Sequence, residues 1–294
     1  NYYQLTILSL SGFIMIKIFL LIFGIFFQSN SFANCSKGRD TSKIVVAGGS
    51  ITEIIFFLDS FHNIVAVDTT SNFPEKAKNL PSIGYVRSLS VEGVLSLKPT
   101  IIIGENDMGP QNVINQLSKT SVELRILDEK TNAEGIRDQI DCVAKILDID
   151  EQINKENLEE LNKQIDQLKE MSLKNAGMKK NGLIILMMQG TSPIVAGRNT
   201  SGDSFLQMIG ANNSMNTFDG WKPVGKESIL LANPDFIIIT KRGLKTFGSI
   251  DNFLKQSGID ITSAAKNRNI YAEDGMSFLG FGPRTISTAL KYSK

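Results

Sequence analysis

The chain has 294 residues, of which 42% are hydrophobic and 21% charged, and this composition excludes a disordered or fibrous protein. Its formal net charge of +1 leaves no basic surplus to neutralise a nucleic-acid backbone. The sequence contains one histidine, His62, which argues against a His-rich metal site and against His-based catalysis.

The N-terminal segment has the pattern of a secretory signal peptide. Lys17 precedes the apolar run Ile18–Phe27, and Ser31-Phe-Ala33 places small residues at the −3 and −1 positions of a cleavage site. A membrane anchor is the competing interpretation, but a run of ten residues is far shorter than the ~20 that span a bilayer. We therefore predict a signal peptide over residues 1–33, with Met15 as the natural start.

The two cysteines, Cys35 and Cys142, bear on whether the exported protein is anchored by a lipid or carries a disulfide. Cys35 lies two residues after the predicted cut, but Asn34 is not the small residue that a lipoprotein signal needs, so lipidation is the less favoured outcome. Cys35 and Cys142 are able to pair in an oxidising compartment. The sequence leaves a disulfide, a lipid and free thiols open.

After the signal peptide, apolar runs alternate with helical patterns. Strands are predicted at 43–47, 64–67, 99–104 and 122–127, and helices at 52–58, 91–97 and 111–117. Strands that alternate with helices indicate a mainly parallel sheet with crossover connections. This block is predicted to form an N-terminal lobe over residues 42–148.

A long helix follows. Ile153, Leu158, Leu161, Ile165, Leu168 and Met171 form one apolar stripe on an otherwise polar segment. Such a stripe is typical of a helix packed along one face and is too short for a sustained coiled coil. We predict a linker helix over residues 149–176.

The third block, residues 177–294, repeats the alternation and is predicted to form a C-terminal lobe. Strands are expected at 183–187, 234–240 and 269–271, and helices at 204–209, 227–231, 252–256 and 283–290. The segments 90–103 and 225–239 also resemble each other: each has an acid, Glu92 or Glu227, seven residues before a proline that leads an apolar strand. The predicted fold class is therefore α/β, with two Rossmann-like lobes of mainly parallel sheets joined by one long helix.

Several segments add a family resemblance. They are Ala47–Ile55, Val67–Ser71, Gly84–Leu97, Ala196–Thr200 and Leu279–Arg284. In this order and spacing they resemble the haem branch of the helical-backbone periplasmic binding proteins, whose other members serve importers of vitamin B12 and siderophores. The resemblance covers residues 43–293 and implies a periplasmic protein that captures haem and delivers it to an ABC importer.

The resemblance implies that Tyr85, in Gly-Tyr-x-Arg, is the axial ligand of the haem iron. Tyrosinate is a known axial ligand of ferric haem. A free tyrosine has a pKa of about 10, so ionisation at neutral pH needs the iron and a neighbouring cation. Arg87 would lie on the same side of an extended segment as Tyr85 and is expected to support the phenolate or a haem propionate.

The second lobe lacks the histidine with which part of the family binds a second haem. We therefore expect one five-coordinate haem b. Met187 and Met188 remain possible soft ligands, although packing is the favoured role for both, and a structural role is favoured for His62. Arg198 and Arg242 are candidates for pairing with a propionate, and Arg242 follows a strand end, where α/β clefts bind ligands.

Glu92 and Glu227 match the positions with which the family docks on a dimeric ABC permease, which works with its ATPase. Such rim charges set orientation and encounter rate. Cobalamin or a ferric siderophore in the same fold is the alternative ligand. No nucleophile elbow, phosphate loop or metalloprotease helix is found, so we expect no enzymatic activity.

Overall fold

The computed structural model describes residues 35–178, 180–190 and 192–293. The predicted signal peptide and the predicted start at Met15 lie outside the described residues. Within these ranges, no helix combines the length and the apolar character needed to cross a membrane.

The first lobe is built on a four-stranded parallel sheet of order β2-β1-β3-β4. Its central strands are buried throughout, because helices cover both faces of the sheet. The strands are β1 (Ile44–Ala47), β2 (Ile64–Val67), β3 (Ile101–Glu105) and β4 (Glu123–Leu127). The helices are α1 (Gly49–Phe57), α2 (Val91–Leu95), α3 (Gln111–Leu117) and α4 (Ala133–Ile146), with short 3-10 turns at Phe61–Asn63 and Glu75–Asn79.

Helix α4 was not predicted, although the sequence carries its signals. The Asn132 side chain caps it by accepting a hydrogen bond from the Gly135 backbone N–H. Ile136, Ile140 and Val143 are completely buried at helical spacing. The same helix holds Cys142, which forms a disulfide with Cys35 and so fastens the segment before β1 to the first lobe.

The linker helix α5 runs from Glu151 to Met178, close to its predicted range. Leu158, Leu161, Ile165 and Leu168 form its buried stripe. Ile153, predicted as part of that stripe, is 53% exposed, because the first turn of the helix extends past the core.

The second lobe contains a six-stranded sheet of order β10-β9-β5-β6-β8, with β7 paired to β5. Its strands are β5 (Asn181–Gln189), β6 (Ser192–Ala196), β7 (Asn212–Asn213), β8 (Trp221–Pro223), β9 (Phe236–Thr240) and β10 (Ile270–Glu273). Strands β5, β9 and β10 pair in parallel, as predicted, whereas the short parallel strand β7 and the antiparallel strands β6 and β8 are additions that the sequence analysis missed. The strand predicted to stop at Met187 continues to Gln189 and turns back as β6.

The helices of the second lobe are α6 (Ser201–Met208), α7 (Lys226–Ala232), α8 (Lys241–Leu244), α9 (Ile250–Ser257), α10 (Ser263–Lys266), α11 (Met276–Leu279) and α12 (Pro283–Tyr292). One apolar core extends from α1 and α4 of the first lobe through α5 to α6, α11 and α12 of the second. Separate cores lie under the outer face of each sheet. The continuous core holds the two lobes against each other and leaves a cleft between their facing edges.

Candidate ligand-binding cleft

A cavity of about 540 Å³ lies between the lobes, within the size range of small-molecule sites. Its first-lobe wall comes from residues that end or follow each strand of the first sheet: Gly48 and Gly49 after β1, Thr70 after β2, Glu105 and Asp107 at β3, and Glu129 and Thr131 after β4. The carboxyl ends of parallel strands share one edge of a sheet, and this is where open α/β sheets bind ligands.

Tyr85 projects into this cavity from the connection between β2 and α2, and its side chain is 47% exposed. Gly84 has a φ of +86°, in the left-handed region that favours glycine. The next residue, Val86, is buried in the first-lobe core, and its carbonyl accepts a hydrogen bond from the Gly109 N–H. Anchoring of the segment through Val86 leaves the phenol of Tyr85 on the cavity side.

Arg87 also lines the cavity, but its nearest charged partner is a carboxylate. Its Nε and Nη2 atoms each lie 3.1 Å from Asp107 Oδ2. Glu129 stands nearby: burial and the negative charge of Asp107 raise the pKa of Glu129, while Arg87 opposes that rise. The guanidinium therefore offsets part of the negative charge of this acidic wall.

Glu105 is a site residue that the sequence analysis missed. It ends β3, is 8% exposed, and its Oε1 accepts a hydrogen bond from Gln139 Nε2 at 3.0 Å. Burial raises the pKa of Glu105 to about 7, and the charges of Glu129 and Asp107 act in the same direction. The available signal was an acid directly after the apolar run Ile101-Ile-Ile-Gly, at the predicted strand end.

The second-lobe wall carries no formal charge among its described lining residues. These are Asn199, Thr200, Ser201, Ser204, Gly220, Trp221, Met276, Leu279 and Gly280. The Ser204 hydroxyl donates to Thr131 Oγ1 at 2.9 Å, so the two walls are directly bonded at one place.

The remaining candidate ligands and cations lie outside this lining. Arg198 forms a salt bridge with Asp219 at 3.1 Å, and Arg242 is exposed on α8, where it follows the end of β9 as predicted. Met188 packs against the outer core of the second lobe, and the ring of His62 lies tilted beside that of Phe61 in the 3-10 turn before β2. Among the described residues, no cluster of three or more His, Cys, Asp or Glu is arranged to hold a metal ion.

Two segments that carried the resemblance form the floor of the cavity. Asp68 is 2% exposed and accepts hydrogen bonds from the Gly48 N–H and from the N–H and hydroxyl of Thr70. A Cβ on Gly49 would lie 2.7 Å from Met276 Cε and 2.8 Å from the Thr70 carbonyl oxygen. Glycine is thus required where the floor of the first lobe touches the second lobe.

A two-lobe α/β protein with a cleft between its lobes, lined here by Tyr85 and Arg87, has the architecture of proteins that bind and release a solute. The family model described as periplasmic binding protein matches residues 44–275. The chain therefore belongs to the periplasmic binding protein family.

Solved structures and curated proteins resemble the chain along most of its length. The periplasmic haem-binding protein BhuT, in complex with two haems, is 31% identical with a TM-score of 0.79, and the match covers 85% of this chain and 96% of BhuT. The periplasmic haem-binding protein HutB of Vibrio cholerae is 32% identical with a TM-score of 0.75, covering 86% of this chain and 98% of HutB. A vitamin B12-binding protein of Pectobacterium atrosepticum is 24% identical over 199 residues, which cover 67% of this chain and 71% of that protein.

Proposed function

We propose that this protein binds one haem b in the inter-lobe cleft of the periplasm and delivers it to an ABC importer in the inner membrane. The observation that carries the proposal is the placement of Tyr85 and Arg87, from the Gly-Tyr-x-Arg segment, on the cavity wall. A phenol is a suitable axial ligand for ferric haem, and an exposed fraction of 47% leaves its oxygen accessible to an incoming iron.

The similar proteins favour haem over cobalamin. The haem-binding structures are 31–32% identical to this chain and are covered almost completely by it. The vitamin B12-binding relative is less similar, at 24% identity. In this proposal the iron is held by Tyr85 alone. The described lining contains no histidine and no cysteine, and its methionine, Met276, lies against Gly49 at the floor of the cavity.

The bonding of Cys35 supports the proposal that the protein is released into the periplasm without a lipid anchor. Its sulfur is in the disulfide with Cys142 and is not available for the thioether that anchors a lipoprotein. One curated relative, YvrC of Bacillus subtilis, is a substrate-binding lipoprotein of an ABC transporter and is 22% identical over 250 residues, which cover 84% of this chain and 77% of YvrC. We propose that the present chain differs from it in this respect, with residues 1–33 removed and with lobes over 42–148 and 177–294 on either side of the linker segment 149–176.

The test is a haemin titration of residues 34–294, followed by absorption spectroscopy, with Tyr85→Phe beside it. We expect saturation at one equivalent with a ferric phenolate spectrum. Because loss of a partner that only orients a ligand costs about 10–100-fold in metal affinity, loss of the ligand itself should cost about 100-fold or more. Tyr271→Phe is the matched control, because Tyr271 is 37% exposed and lies outside the cavity lining.

Three outcomes separate the alternatives. Failure of the wild type to bind haemin above background would refute the haem assignment and move the titration to cobalamin and ferric siderophores. Unchanged binding by Tyr85→Phe would keep haem and refute Tyr85 as its ligand, and the search would then turn to Met187, Met188 and His62. Loss in Tyr271→Phe as well would indicate a general defect in folding.

A further inference from the structure

Two of the segments that carried the resemblance meet at a buried ion pair between the lobes. Glu53 lies on α1 of the first lobe, and Arg284 lies in the first turn of α12 of the second. Glu53 Oε1 accepts the backbone N–H of Arg284, and Oε2 accepts its side-chain Nε–H, both at 2.7 Å. The side chains of Glu53 and Arg284 are 6% and 23% exposed.

Further contacts fix the guanidinium from both lobes. It lies over the ring of Phe73, 3.6 Å from its centroid, in the loop that follows β2. Its Nη2 is 3.5 Å from Asp274 Oδ1, just after β10. A Cβ on Gly282 would lie 3.1 Å from the Glu53 carboxyl group, so the start of α12 approaches α1 as closely as a glycine permits.

The ion pair lies directly behind the cavity wall without being part of it. Glu53 is four residues after Gly49, and Arg284 is four residues after Gly280, and both glycines line the cavity. None of Glu53, Phe73 and Arg284 is among the lining residues. The Thr131–Ser204 hydrogen bond connects the walls at another point.

We propose that Glu53, Arg284 and Phe73 form an inter-lobe clamp that holds the second-lobe wall at a fixed distance from Tyr85 and so determines how long a bound ligand is retained. The three residues act as positioning residues and do not touch the ligand. The clamp itself does not depend on which ligand the cleft takes.

The energetics of the pair favour a positioning role over a stabilising one. Burial raises the pKa of Glu53 above its ordinary range even though Arg284 opposes the rise. Desolvation of a buried ion pair offsets most of its Coulombic attraction, whereas removal of one partner leaves an uncompensated buried charge. The geometry is nevertheless specific, because the Glu53 carboxylate accepts both the backbone N–H and the guanidinium Nε–H of Arg284 while that guanidinium lies over the Phe73 ring, and together these contacts define one arrangement of the lobes.

The experiment measures the distance between the lobes and the lifetime of the complex in the same proteins. Spin labels at the exposed positions Lys119, in the first lobe, and Lys255, in the second, report the distance distribution in the ligand-free protein. Both native cysteines are in the disulfide, so labels attach only to the introduced ones. Haem transfer to an excess of a haem acceptor reports the dissociation rate.

The variants are Glu53→Gln, Arg284→Met and the double substitution, with Arg284→Lys to keep the charge without the planar contact. We expect a broader distance distribution and an increase of about tenfold in the haem dissociation rate, since most effects on affinity in related complexes fall on dissociation. The spectrum of the bound haem should stay as in the wild type, because Tyr85 is untouched. Arg137→Met is the matched control, as Arg137 pairs with Asp138 inside α4 of the first lobe.

An unchanged distance distribution in the double variant, with a dissociation rate within about twofold of the Arg137→Met control, would overturn the clamp. If Arg284→Met does not fold, Phe73→Leu removes only the stacked ring from a side chain that is 39% exposed, and the same two readouts apply. If no variant, nor the wild type, binds haem, the proposed ligand fails, and the distance distribution alone still decides on the clamp.

Discussion

The two walls of the cleft differ in charge, and the difference follows from the two sheets. All charged residues in the described lining, Arg87, Glu105, Asp107 and Glu129, belong to the first lobe. The second lobe contributes hydroxyls, an amide, Trp221 and the apolar Met276 and Leu279. We therefore expect the first lobe to select the ligand by charge and the second lobe to cover it.

The contrast arises from topology. All four strands of the first sheet are parallel, so polar residues at four strand ends converge on one edge. In the second sheet, antiparallel strands β6 and β8 occupy the side nearest to the cavity segments 199–201 and 220–221. That edge consists of a turn and the start of a helix, where polar side chains form hydrogen bonds with the nearby backbone. The Thr200 hydroxyl, for example, accepts a hydrogen bond from the Asp203 N–H.

The largest expected effect concerns the covalent link of the first lobe. The Cys35–Cys142 disulfide closes a loop with a sequence separation of 107 residues. Cys35→Ser with Cys142→Ser should lower the free energy of unfolding by about 2–4 kcal/mol, because the unfolded chain regains the entropy of that loop. Urea denaturation measures the loss of stability. Hydrogen exchange should show that amide protection falls more in β1 and α4 than in the second lobe. Equal loss of protection in both lobes would mean that the first lobe is not the part stabilised.

The acidic wall predicts the next effect, on pH dependence. Burial raises the pKa of Glu105 from an ordinary value of 4.5 to about 7, so the folded protein binds the proton of this carboxyl more tightly than the unfolded chain does. The associated stability is present below about pH 4.5 and is lost as the pH rises through 7. As the pH rises from 5 to 8.5, the free energy of unfolding of the wild type should therefore fall by roughly 2–3 kcal/mol relative to that of Glu105→Gln, at 1.36 kcal/mol per pKa unit.

The same titration should weaken binding of an anionic ligand. Haem carries two carboxylates, so its affinity for the wild type should fall as Glu105 ionises between pH 6 and 8, and haem dimethyl ester should show no such fall. Denaturation and titration at paired pH values check both statements. A pH profile that Glu105→Gln leaves unchanged would show that another group titrates.

The sequence predicted the first lobe well and the second less completely, for a physical reason. Buried parallel strands such as Ile101–Gly104 are continuous apolar runs, so they can be recognised from the sequence alone. The hairpin β5–β6 crosses a polar turn at Gln189-Gly190, and its second strand contains Pro193, which argues against a strand interior. Helix α4 was overlooked although its apolar residues recur at helical spacing.

The candidate site divides in the same way. The Gly-Tyr-x-Arg motif predicted Tyr85 and Arg87. The three acidic residues of the wall are brought together only by the fold, and they are Glu105, Asp107 and Glu129. An acid after a strand resembles any solvated loop residue, and the proximity of Asp107 to Glu129 depends on the adjacency of β3 and β4. Arg242 was chosen because it follows a strand end, but the second-lobe wall is built by segments after β6 and β10, not after β9.

The charged wall can be tested with three arginines. Arg87→Gln should reduce haem affinity about tenfold, as expected for a group that supports an iron ligand. Arg198→Gln and Arg242→Gln should change it by about twofold at most, because Arg198 is bound to Asp219 and neither residue lines the cavity. Haemin titrations at one ionic strength compare all three. A larger loss in Arg242→Gln than in Arg87→Gln would place the ligand's carboxylates on the second lobe and break the contrast between the walls.

The smallest expected effect tests whether the two lobes also contribute unequally to binding of the permease. Glu92 and Glu227 are exposed in the first turns of α2 and α7, so each lobe offers one acid at an equivalent position. In the second lobe Leu231, one turn further along α7, is 89% exposed, whereas the first lobe has the polar Ser96 at the corresponding spacing.

Charge reversal by Glu92→Lys or Glu227→Lys should slow association with the permease in nanodiscs by about three- to tenfold at low salt, since rim charges act on the encounter rate. Added salt should remove most of this effect, because it screens exposed charges. Glu170→Lys, on the exposed face of α5, is the matched control for net charge. The apolar Leu231 adds a contact that salt does not screen, so a residual defect at high salt in Leu231→Ser alone would mean that the second lobe contributes affinity where the first contributes only steering.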